Sequence, residues 1–337
     1  MKRGRTIDYM PAYRICNLVI ESRVLLPELL LAPEGEVDYV FRLSRRVTAP
    51  VAHLDWYHSW LLPDGSVWLS IARRGPGFLL RFHGKADFQL SPDARRITCY
   101  ARRGVPRSTV RHLLLDQVLP VILGHRGQLV LHAAAVALRA GAVAFLGETG
   151  RGKSTLSAGF CRQGSSLLTD DCFVVAVHDG GFLALPSYPG LRLWPETRAS
   201  LFGATAELGL VAHYTSKERL SGAEGELTFQ SDPAPLKCLY LLAPPSEALA
   251  NGETTIERVS GHDAFVSLVK YAFMLDITDQ GRISRQFTQI SRLLEQVPLF
   301  RLSYPRDLSL LPAVCQAVRA HAEGLAPMTA PPPQTPH

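Results

Sequence analysis

The sequence lacks the features of membrane, secreted and zinc-binding proteins. No apolar run approaches the roughly 20 residues that a membrane-spanning helix needs. The first residues, MKRGRTIDYM, contain no apolar segment of the kind found in secretion signals. The six cysteines form no C-x-x-C pair, and no histidine spacing accompanies them that would indicate zinc. We therefore expect a cytoplasmic protein whose cysteines are small core residues in a reducing compartment.

Positive charge is unevenly distributed along the chain. The formal net charge is +6, yet residues 41–111 hold thirteen Lys or Arg against four Asp or Glu. Such a segment can attract an acidic peptide, a nucleic acid or a membrane surface, although a solvated arginine-rich face is the commoner explanation. Aromatic residues are not clustered at the spacing of RNA-binding sheets, so we do not expect a nucleic-acid partner. Our hypothesis is that this segment helps to present an acidic or carboxyl-terminal part of a peptide.

The sequence of the first hundred residues predicts short strands joined by turns. Apolar and polar residues alternate from Trp56 to Ala101, and Pro63-Asp64-Gly65 and Gly75-Pro76-Gly77 interrupt the alternation. This pattern is typical of a meander of hairpins. We assign residues 1–105 to a small, basic, mainly antiparallel β domain and residues 106–124 to a connecting helix that Ser108 can cap.

The remainder of the chain alternates strands and helices, which favours an α/β fold with a mixed sheet over residues 125–322. Two strands flank a turn at 139–141, and a second hairpin turns at 179–181. Helices are predicted over 261–274, 281–296 and 307–322. The polar segment 216–232 suits either a loop that closes over a substrate or an ordinary surface connection. The proline-rich residues 323–337 are expected to be disordered.

One motif carries a chemical prediction. Residues 147–154, GETGRGKS, fit the pattern G-x-x-x-x-G-K-[ST] directly after the apolar run 142–146. In such a loop, backbone N–H groups and the start of the following helix hold phosphate oxygens. Lys153 then contacts the terminal phosphates, and the Ser154 hydroxyl binds Mg²⁺. The alternative is a glycine-rich turn that contains Lys-Ser by chance. The predicted nucleotide-binding residues are Gly147, Glu148, Thr149, Gly150, Arg151, Gly152, Lys153, Ser154 and Thr155.

Two adjacent carboxylates follow the loop unusually early. Asp170 and Asp171 come 17 and 18 residues after Lys153 (170 − 153 and 171 − 153), enough for one helix and a returning strand. Beside a triphosphate, one carboxylate can hold Mg²⁺ while the other takes the proton from an attacking hydroxyl. The alternative is that both simply end a strand at the surface. We assign Asp170 as the base and Asp171 as the metal ligand, although the spacing does not decide between them.

The order of these motifs resembles the HPr serine kinase/phosphorylase family and its relatives. The resemblance covers residues 125–320, and is carried by LHAAAVALRAGAVAFLGETGRGKSTLSAGFCRQGSSLLTDDCFVV, by YPGLRLWPE and by LFRLSYPRDLSLL. It implies the fold that this family shares with phosphoenolpyruvate carboxykinases. It also implies phosphorylation of a hydroxyl, typically serine, on a peptide or protein by ATP and Mg²⁺. The last two segments are similar to a branch linked to peptide natural-product clusters, including those of lasso peptides.

The resemblance implies further site residues and partners. His132 matches the histidine of the family near the acceptor, whereas a lone histidine beside a strand is otherwise more often a packed residue. Arg192 and Lys217 are candidates for positive charge at the transition state, or are ordinary surface charges. Trp194 is expected in the core rather than as a platform for adenine. The implied partners are a hydroxyl-bearing peptide or protein, proteins of a biosynthetic cluster and a second copy of the chain.

Other activities fit the sequence less well. There is no counterpart of the second signature of bifunctional HPr kinases/phosphorylases, so neither dephosphorylation nor HPr as substrate is expected. RLSGAEG is a poor match to the transporter-ATPase signature, and no N-K-x-D motif of GTPases is present. A carboxykinase fits less well, because the chain is short for that enzyme and lacks recognisable positions for its additional metal and its carboxylate substrate. An ATP-gated scaffold that transfers no phosphate, and a kinase of small-molecule hydroxyls, remain as alternatives.

Overall fold

The computed structural model describes residues 10–49, 54–62, 64–203, 210–221, 227–245 and 253–325. The chain divides into two compact units, Met1–Arg111 and His112–His337. Of the tail predicted over 323–337, the part from residue 326 onward lies outside the described residues. None of the helices in these ranges combines the length and the apolar character that a membrane crossing requires.

The described part of the first unit contains a nine-stranded sheet in the order β3-β1-β2-β4-β9-β8-β7-β6-β5. Its strands are β1 (Ala12–Ile15), β2 (Leu18–Ser22), β3 (Leu30–Leu31), β4 (Tyr39–Leu43), β5 (Asp55–Leu61), β6 (Val67–Arg74), β7 (Gly77–Phe82), β8 (Ala86–Leu90) and β9 (Arg96–Ala101). Strands β5 to β9 form the predicted meander. The sheet is mixed, however, because β4 pairs in parallel with both β2 and β9. The meander itself is the connection that returns the chain beside β4.

A helical segment follows the first sheet and contains the boundary between the two units. It consists of α1 (Arg107–Leu113), a π-helical turn (Leu114–Val118) and α2 (Leu119–His125). The helix predicted over 106–124 is thus confirmed as helical, but the π turn was not foreseen. Single π turns inside helices often occur at functional sites.

The second unit contains an eight-stranded sheet and a two-stranded ribbon within the described residues. The sheet strands are β10 (Leu129–Leu138), β11 (Gly141–Leu146), β12 (Ser166–Thr169), β13 (Cys172–His178), β14 (Gly181–Leu185), β17 (Ala234–Leu242), β18 (Thr255–Val259) and β19 (Leu299–Ser303), and the ribbon strands are β15 (Gly190–Leu193) and β16 (Glu218–Ser221). The helices are α3 (Lys153–Arg162), α4 (Pro195–Phe202), α5 (Gly261–Tyr271), α6 (Gln280–Gln296) and α7 (Leu311–Gly324). Strand β17 lies parallel to both β11 and β19, while β10 pairs antiparallel with β11, β12 and β13.

Helices cover both faces of this sheet. Along β11, Ala144 and Leu146 pack toward the face covered by α5 and α6, whereas Val143 and Phe145 pack toward the face covered by α3 and α7. Successive side chains of a strand point to opposite faces of the sheet. A strand that is buried on both faces therefore consists of an unbroken run of apolar residues. This is why residues 142–146 are apolar throughout.

The main hairpins agree with the sequence, while two helix boundaries do not, and the first of these is the end of α5 at Tyr271 rather than at 274. The predicted turns at 139–141 and 179–181 are confirmed by the antiparallel pairs β10–β11 and β13–β14. The last helix begins at Leu311 rather than at 307. Asp307 instead closes a turn, because its carboxylate accepts hydrogen bonds from the backbone N–H and the hydroxyl of Ser309. Of the segment 216–232, the ribbon strand β16 and residues 227–232 are described, while 222–226 lie outside the described residues.

Candidate active site

The predicted phosphate loop runs from the end of β11 to the start of α3. Gly150 and Gly152 have φ values of 84° and 89°, in the left-handed region that favours glycine. At Gly152 a Cβ atom would also lie 2.8 Å from the hydroxyl of Tyr304 and 2.9 Å from the Arg306 guanidinium. The glycine at this position therefore allows both the turn and the close approach of the residues that follow β19.

The loop is fixed from outside by ionic and hydrogen-bond contacts. The Arg306 guanidinium donates to the carbonyl oxygens of Arg151, at 2.6 Å, and Ala243, at 2.7 Å. Glu148, at the surface, accepts from Lys270 at 2.6 Å and from Arg151 at 3.0 Å. These contacts hold the backbone of the loop in place, as a phosphate-binding loop requires for its N–H groups to converge.

Lys153 is buried at the start of α3 and lies across the loop. Its ammonium donates to the carbonyl of Gly147 at 2.7 Å and reaches Nε2 of His132 at 3.0 Å. Burial is the main cause that lowers the pKa of Lys153 to about 8. The lysine is therefore held by weak, neutral acceptors, which a phosphate group can replace.

His132 lies in β10, between the lysine and one of the aspartates. Burial, followed by the charges of Lys153 and Arg192, holds the pKa of His132 well below its ordinary value. The ring is thus neutral. Its Nε2 accepts a hydrogen bond from the Lys153 ammonium, so the proton of the ring lies on Nδ1. That nitrogen lies 3.9 Å from Oδ1 of Asp171, too far for a hydrogen bond in this state. The structure brings His132 into the site, although its role stays a prediction.

The two aspartates lie between β12 and β13 and differ in their surroundings. Asp171 lines the same cavity as Lys153 and Ser154. Asp170 is 2% exposed, and its Oδ2 accepts from the backbone N–H of Arg192 at 2.9 Å and from its Nε at 3.3 Å. The other oxygen of Asp170, Oδ1, has no hydrogen-bond partner among the described residues. The aspartate turned toward the cavity is therefore Asp171, and not the residue that we assigned as the base.

Arg192, in the ribbon strand β15, connects three carboxylates. Besides its bond to Asp170, it forms an ion pair with Asp171 through Nη2 and one with Asp116 through Nη1 at 3.1 Å. The side chain is 6% exposed. A guanidinium carries its donors in a rigid fork, so three partners in one plane fix its position closely. Arg192 is thus part of the buried site and not an ordinary surface charge.

Asp116, in the π turn, is a site residue that the sequence interpretation missed. Its fully buried carboxylate accepts from Nδ1 of His112 at 2.6 Å and from the Tyr188 hydroxyl, and Arg219 lies 3.8 Å away. Burial alone would raise the pKa of Asp116, but Arg192, His112 and Arg219 together hold it below its ordinary value. A signal was present, since His and Asp four residues apart interrupt the apolar run RHLLLDQVLPVIL.

The cavity above the loop has a volume of about 260 Å³ and an aromatic wall. Of the predicted nucleotide-binding residues, Thr149, Gly150, Gly152, Lys153, Ser154 and Thr155 line it, whereas Gly147, Glu148 and Arg151 do not. Trp194 also lines it and is 43% exposed, so the expectation that it lies in the core is wrong. The ammonium of Lys217 lies 5.3 Å from the centre of the Trp194 ring, within the range of a cation–π contact. Burial lowers the pKa of Lys217. The sequence interpretation failed at Trp194 because the following helix, α4, begins immediately and turns the ring outward.

The residues present fit a nucleotide with a metal ion. Lys153, Arg192 and Lys217 line the cavity and supply positive charge for phosphates. For Mg²⁺, oxygen donors are required, and the Ser154 hydroxyl and the Asp171 carboxylate, which both line the cavity, are of that type. The described residues contain no group of three His, Cys, Asp or Glu side chains that would hold a metal without phosphate oxygens or water.

Comparisons with known proteins give little further information. No protein-family model matches the sequence, and no curated protein matches it. Among solved structures, the HPr(Ser) kinase/phosphatase from Coxiella burnetii is similar over 58% of this chain and 99% of that one. The sequence identity is 13% and the TM-score 0.31. Similarity at this level does not establish a shared activity.

Proposed function

We propose that this protein is an ATP-dependent kinase that transfers the γ-phosphoryl group to a hydroxyl, with serine of a peptide or protein as the first candidate acceptor. One observation carries the proposal: Asp171 lines the same cavity as Lys153 and Ser154 of the phosphate loop. A loop that only bound a nucleotide would need the metal ligand but no carboxylate beside the terminal phosphate.

The charges around the cavity suit the requirements of phosphoryl transfer. In this reaction negative charge spreads over the equatorial oxygens of the transferred group, and catalysis depends on positioning and positive charge. Lys153 lies at the loop, and Arg192 and Lys217 lie on the ribbon and just before it, so cations face the cavity from two sides. We assign Lys153 to the β- and γ-phosphates and Arg192 and Lys217 to the transferred group.

The two carboxylates receive different roles from their surroundings. We assign the base to Asp171, which lines the cavity, and the orientation of Arg192 to Asp170, which is bonded to it. In the step, the acceptor oxygen forms a bond to the γ-phosphorus as its proton passes to Asp171. The bond between that phosphorus and the bridging oxygen breaks, and ADP leaves. Ser154, which lines the cavity, would hold Mg²⁺ together with phosphate oxygens and water, and the ion would neutralise phosphate charge when bound.

A second candidate function is supported by a separate observation. Arg192 forms ion pairs with both aspartates, so in this state the guanidinium occupies the Asp171 carboxylate that a kinase needs for the proton of the acceptor. If Arg192 keeps this pairing when nucleotide binds, the protein is an ATP-gated scaffold without transferase activity. For a kinase, Arg192 must turn from Asp171 to the phosphates, and the nucleotide supplies the negative charge that makes this exchange favourable.

The experiment that separates these functions follows the fate of the γ-phosphate. The protein is incubated with Mg²⁺ and labelled ATP, with and without serine-containing peptides encoded beside its gene, and peptide mass and nucleotide are measured together. A kinase forms ADP only with an acceptor, which gains one phosphoryl group. Binding without turnover identifies a scaffold, and ADP formation without any acceptor identifies an ATPase. The variant Lys153→Met, which lacks the phosphate contact, is the negative control.

A further inference from the structure

The described part of the first unit contains a second polar cavity, separate in sequence from the phosphate loop. It has a volume of about 440 Å³ and is lined by Arg23, Arg42, Arg45 and Arg107, by Ser44 and by two aliphatic side chains. We call it the arginine cleft. Its volume lies within the ~300–1,000 Å³ of ordinary ligand sites. All its lining residues belong to Met1–Arg111.

The topology of the sheet brings two of these arginines side by side. Strands β2 and β4 are parallel neighbours, and their last paired residues are Ser22 and Phe41. Arg23 and Arg42 directly follow these two residues, so both lie at the carboxyl ends of adjacent parallel strands. The third arginine of the same edge, Arg45, follows β4 within the same chain segment.

The described residues that line the cleft carry positive charge only. None of them is a carboxylate. Two other arginines of the unit are matched with acids: Arg81 lies 2.9 Å from Asp87, and Arg111 lies 2.7 Å from Glu28. By contrast, Arg42, Arg45 and Arg107 have no ion-pair partner among the described residues. Guanidinium groups gathered in one cavity repel each other unless an anion lies between them.

We propose that the arginine cleft binds closely spaced carboxylates or phosphates, carried by an acidic peptide segment or by a small free polyanion. Guanidinium forks match the planar oxygens of both groups, and Ser44 adds a hydroxyl donor. A nucleic acid is disfavoured, because none of the lining residues is aromatic and single strands are bound largely by stacking of bases on aromatic rings. This site does not depend on the proposed phosphoryl transfer, and the protein can have either one without the other.

Binding of a fluorescein-labelled hexaglutamate peptide to the full-length protein, measured by anisotropy, tests the proposal. The variants Arg42→Gln and Arg45→Gln should each weaken binding by about tenfold or more, since each removes charge-assisted hydrogen bonds. Arg46→Gln is the matched control, because Arg46 is an adjacent, exposed arginine that does not line the cleft. It should change the affinity by less than about twofold, as expected for a charge outside the site. Circular dichroism confirms that each variant is folded.

Two further arms identify the source of the anion and exclude the phosphate loop. Displacement of the peptide by pyrophosphate at similar concentration indicates a free polyanion, while tight binding that pyrophosphate does not displace indicates a peptide. The proposal is overturned if hexaglutamate does not bind, or if all three arginine variants behave alike. It is also overturned if Lys153→Met abolishes binding and Arg42→Gln does not. Tighter binding of an oligothymidylate that is lost in the same variants would replace it by a nucleic-acid site.

Discussion

The ammonium of Lys153 lies 3.0 Å from Nε2 of His132, a ring that its surroundings keep neutral. An ammonium normally seeks a carboxylate or phosphate, so this arrangement holds the lysine with a partner of low charge. The lysine is positioned for phosphate without being neutralised by the protein. His132 in turn presents its second nitrogen toward Asp171, at 3.9 Å.

The first prediction concerns the pH dependence of nucleotide binding. The pKa of Lys153 is lowered to about 8, so the ammonium is present below that pH and is lost above it. The Kd for a nonhydrolysable ATP analogue, measured by calorimetry, should therefore rise as the pH increases through about 8 to 9. Lys153→Arg retains its charge over this range and should show a flat profile. A flat profile in the wild-type protein would contradict the assignment of Lys153 to the phosphates.

The second prediction separates the two aspartates. Asp171→Asn should lower the rate of phosphoryl transfer by about 10²-fold or more while leaving the nucleotide Kd within about threefold, because it removes the base and keeps the shape. Asp170→Asn should instead weaken nucleotide binding, because it removes the carboxylate that orients Arg192. Single-turnover transfer and nucleotide Kd are measured for both variants. Near-normal transfer by Asp171→Asn together with loss in Asp170→Asn would restore the roles that the sequence suggested.

The third prediction concerns the stability provided by Asp116. Its buried carboxylate has His112, Tyr188 and Arg192 as partners, so removing its charge weakens two buried hydrogen bonds and takes from Arg192 one of its three carboxylates. Asp116→Asn should lower the free energy of unfolding by about 3–5 kcal/mol, as for other broken buried pairs. Urea denaturation measures the change. Asp179→Asn is the control, because Asp179 is 89% exposed in a hairpin turn, and it should change stability by less than about 0.5 kcal/mol.

The fourth prediction compares two glycines of the loop. Gly150 and Gly152 share the left-handed backbone, so alanine at either position costs about 1 kcal/mol or more from strain. Only at Gly152 would the added Cβ meet Tyr304 and Arg306, since nothing lies within 4 Å of the corresponding position at Gly150. Gly152→Ala should therefore weaken nucleotide binding well beyond Gly150→Ala. Equal effects in calorimetry would show that the contact with Arg306 does not position the loop.

Local pattern in the sequence was sufficient for the central parts of the site. The apolar run, the glycines and Lys153 predict a strand, a loop and a helix within a short stretch, because each depends on neighbouring residues. The hairpin signals likewise predict that the chain returns quickly with Asp171. The pattern of residues could not predict the direction of pairing, because alternation in β2, β4 and β9 is compatible with parallel or antiparallel neighbours. The connections decide it: residues 23–38 return the chain parallel to β2, and the meander returns it parallel to β4.

Contacts between residues that are far apart in the chain could not be predicted from the sequence. Asp116 appeared to belong to a connecting helix because its partner Arg192 lies on a distant ribbon. The choice between Asp170 and Asp171 was also undecidable from spacing, since adjacent residues differ only in which way they face. Residues of the candidate site that lie in one short segment could thus be predicted, whereas those that depend on contact between two distant segments could not.

The bracing of the phosphate loop by Arg306 has a consequence for synthesis of the protein. Arg306 follows the last strand, whereas the loop that it holds is translated about 150 residues earlier, as follows from their positions in the chain. A nascent polypeptide that still lacks this arginine contains the glycines and the lysine of the loop but not the hydrogen bonds that hold the loop in place. We therefore expect the nascent chain to gain its affinity for nucleotide only after the segment that contains Arg306 has emerged from the ribosome.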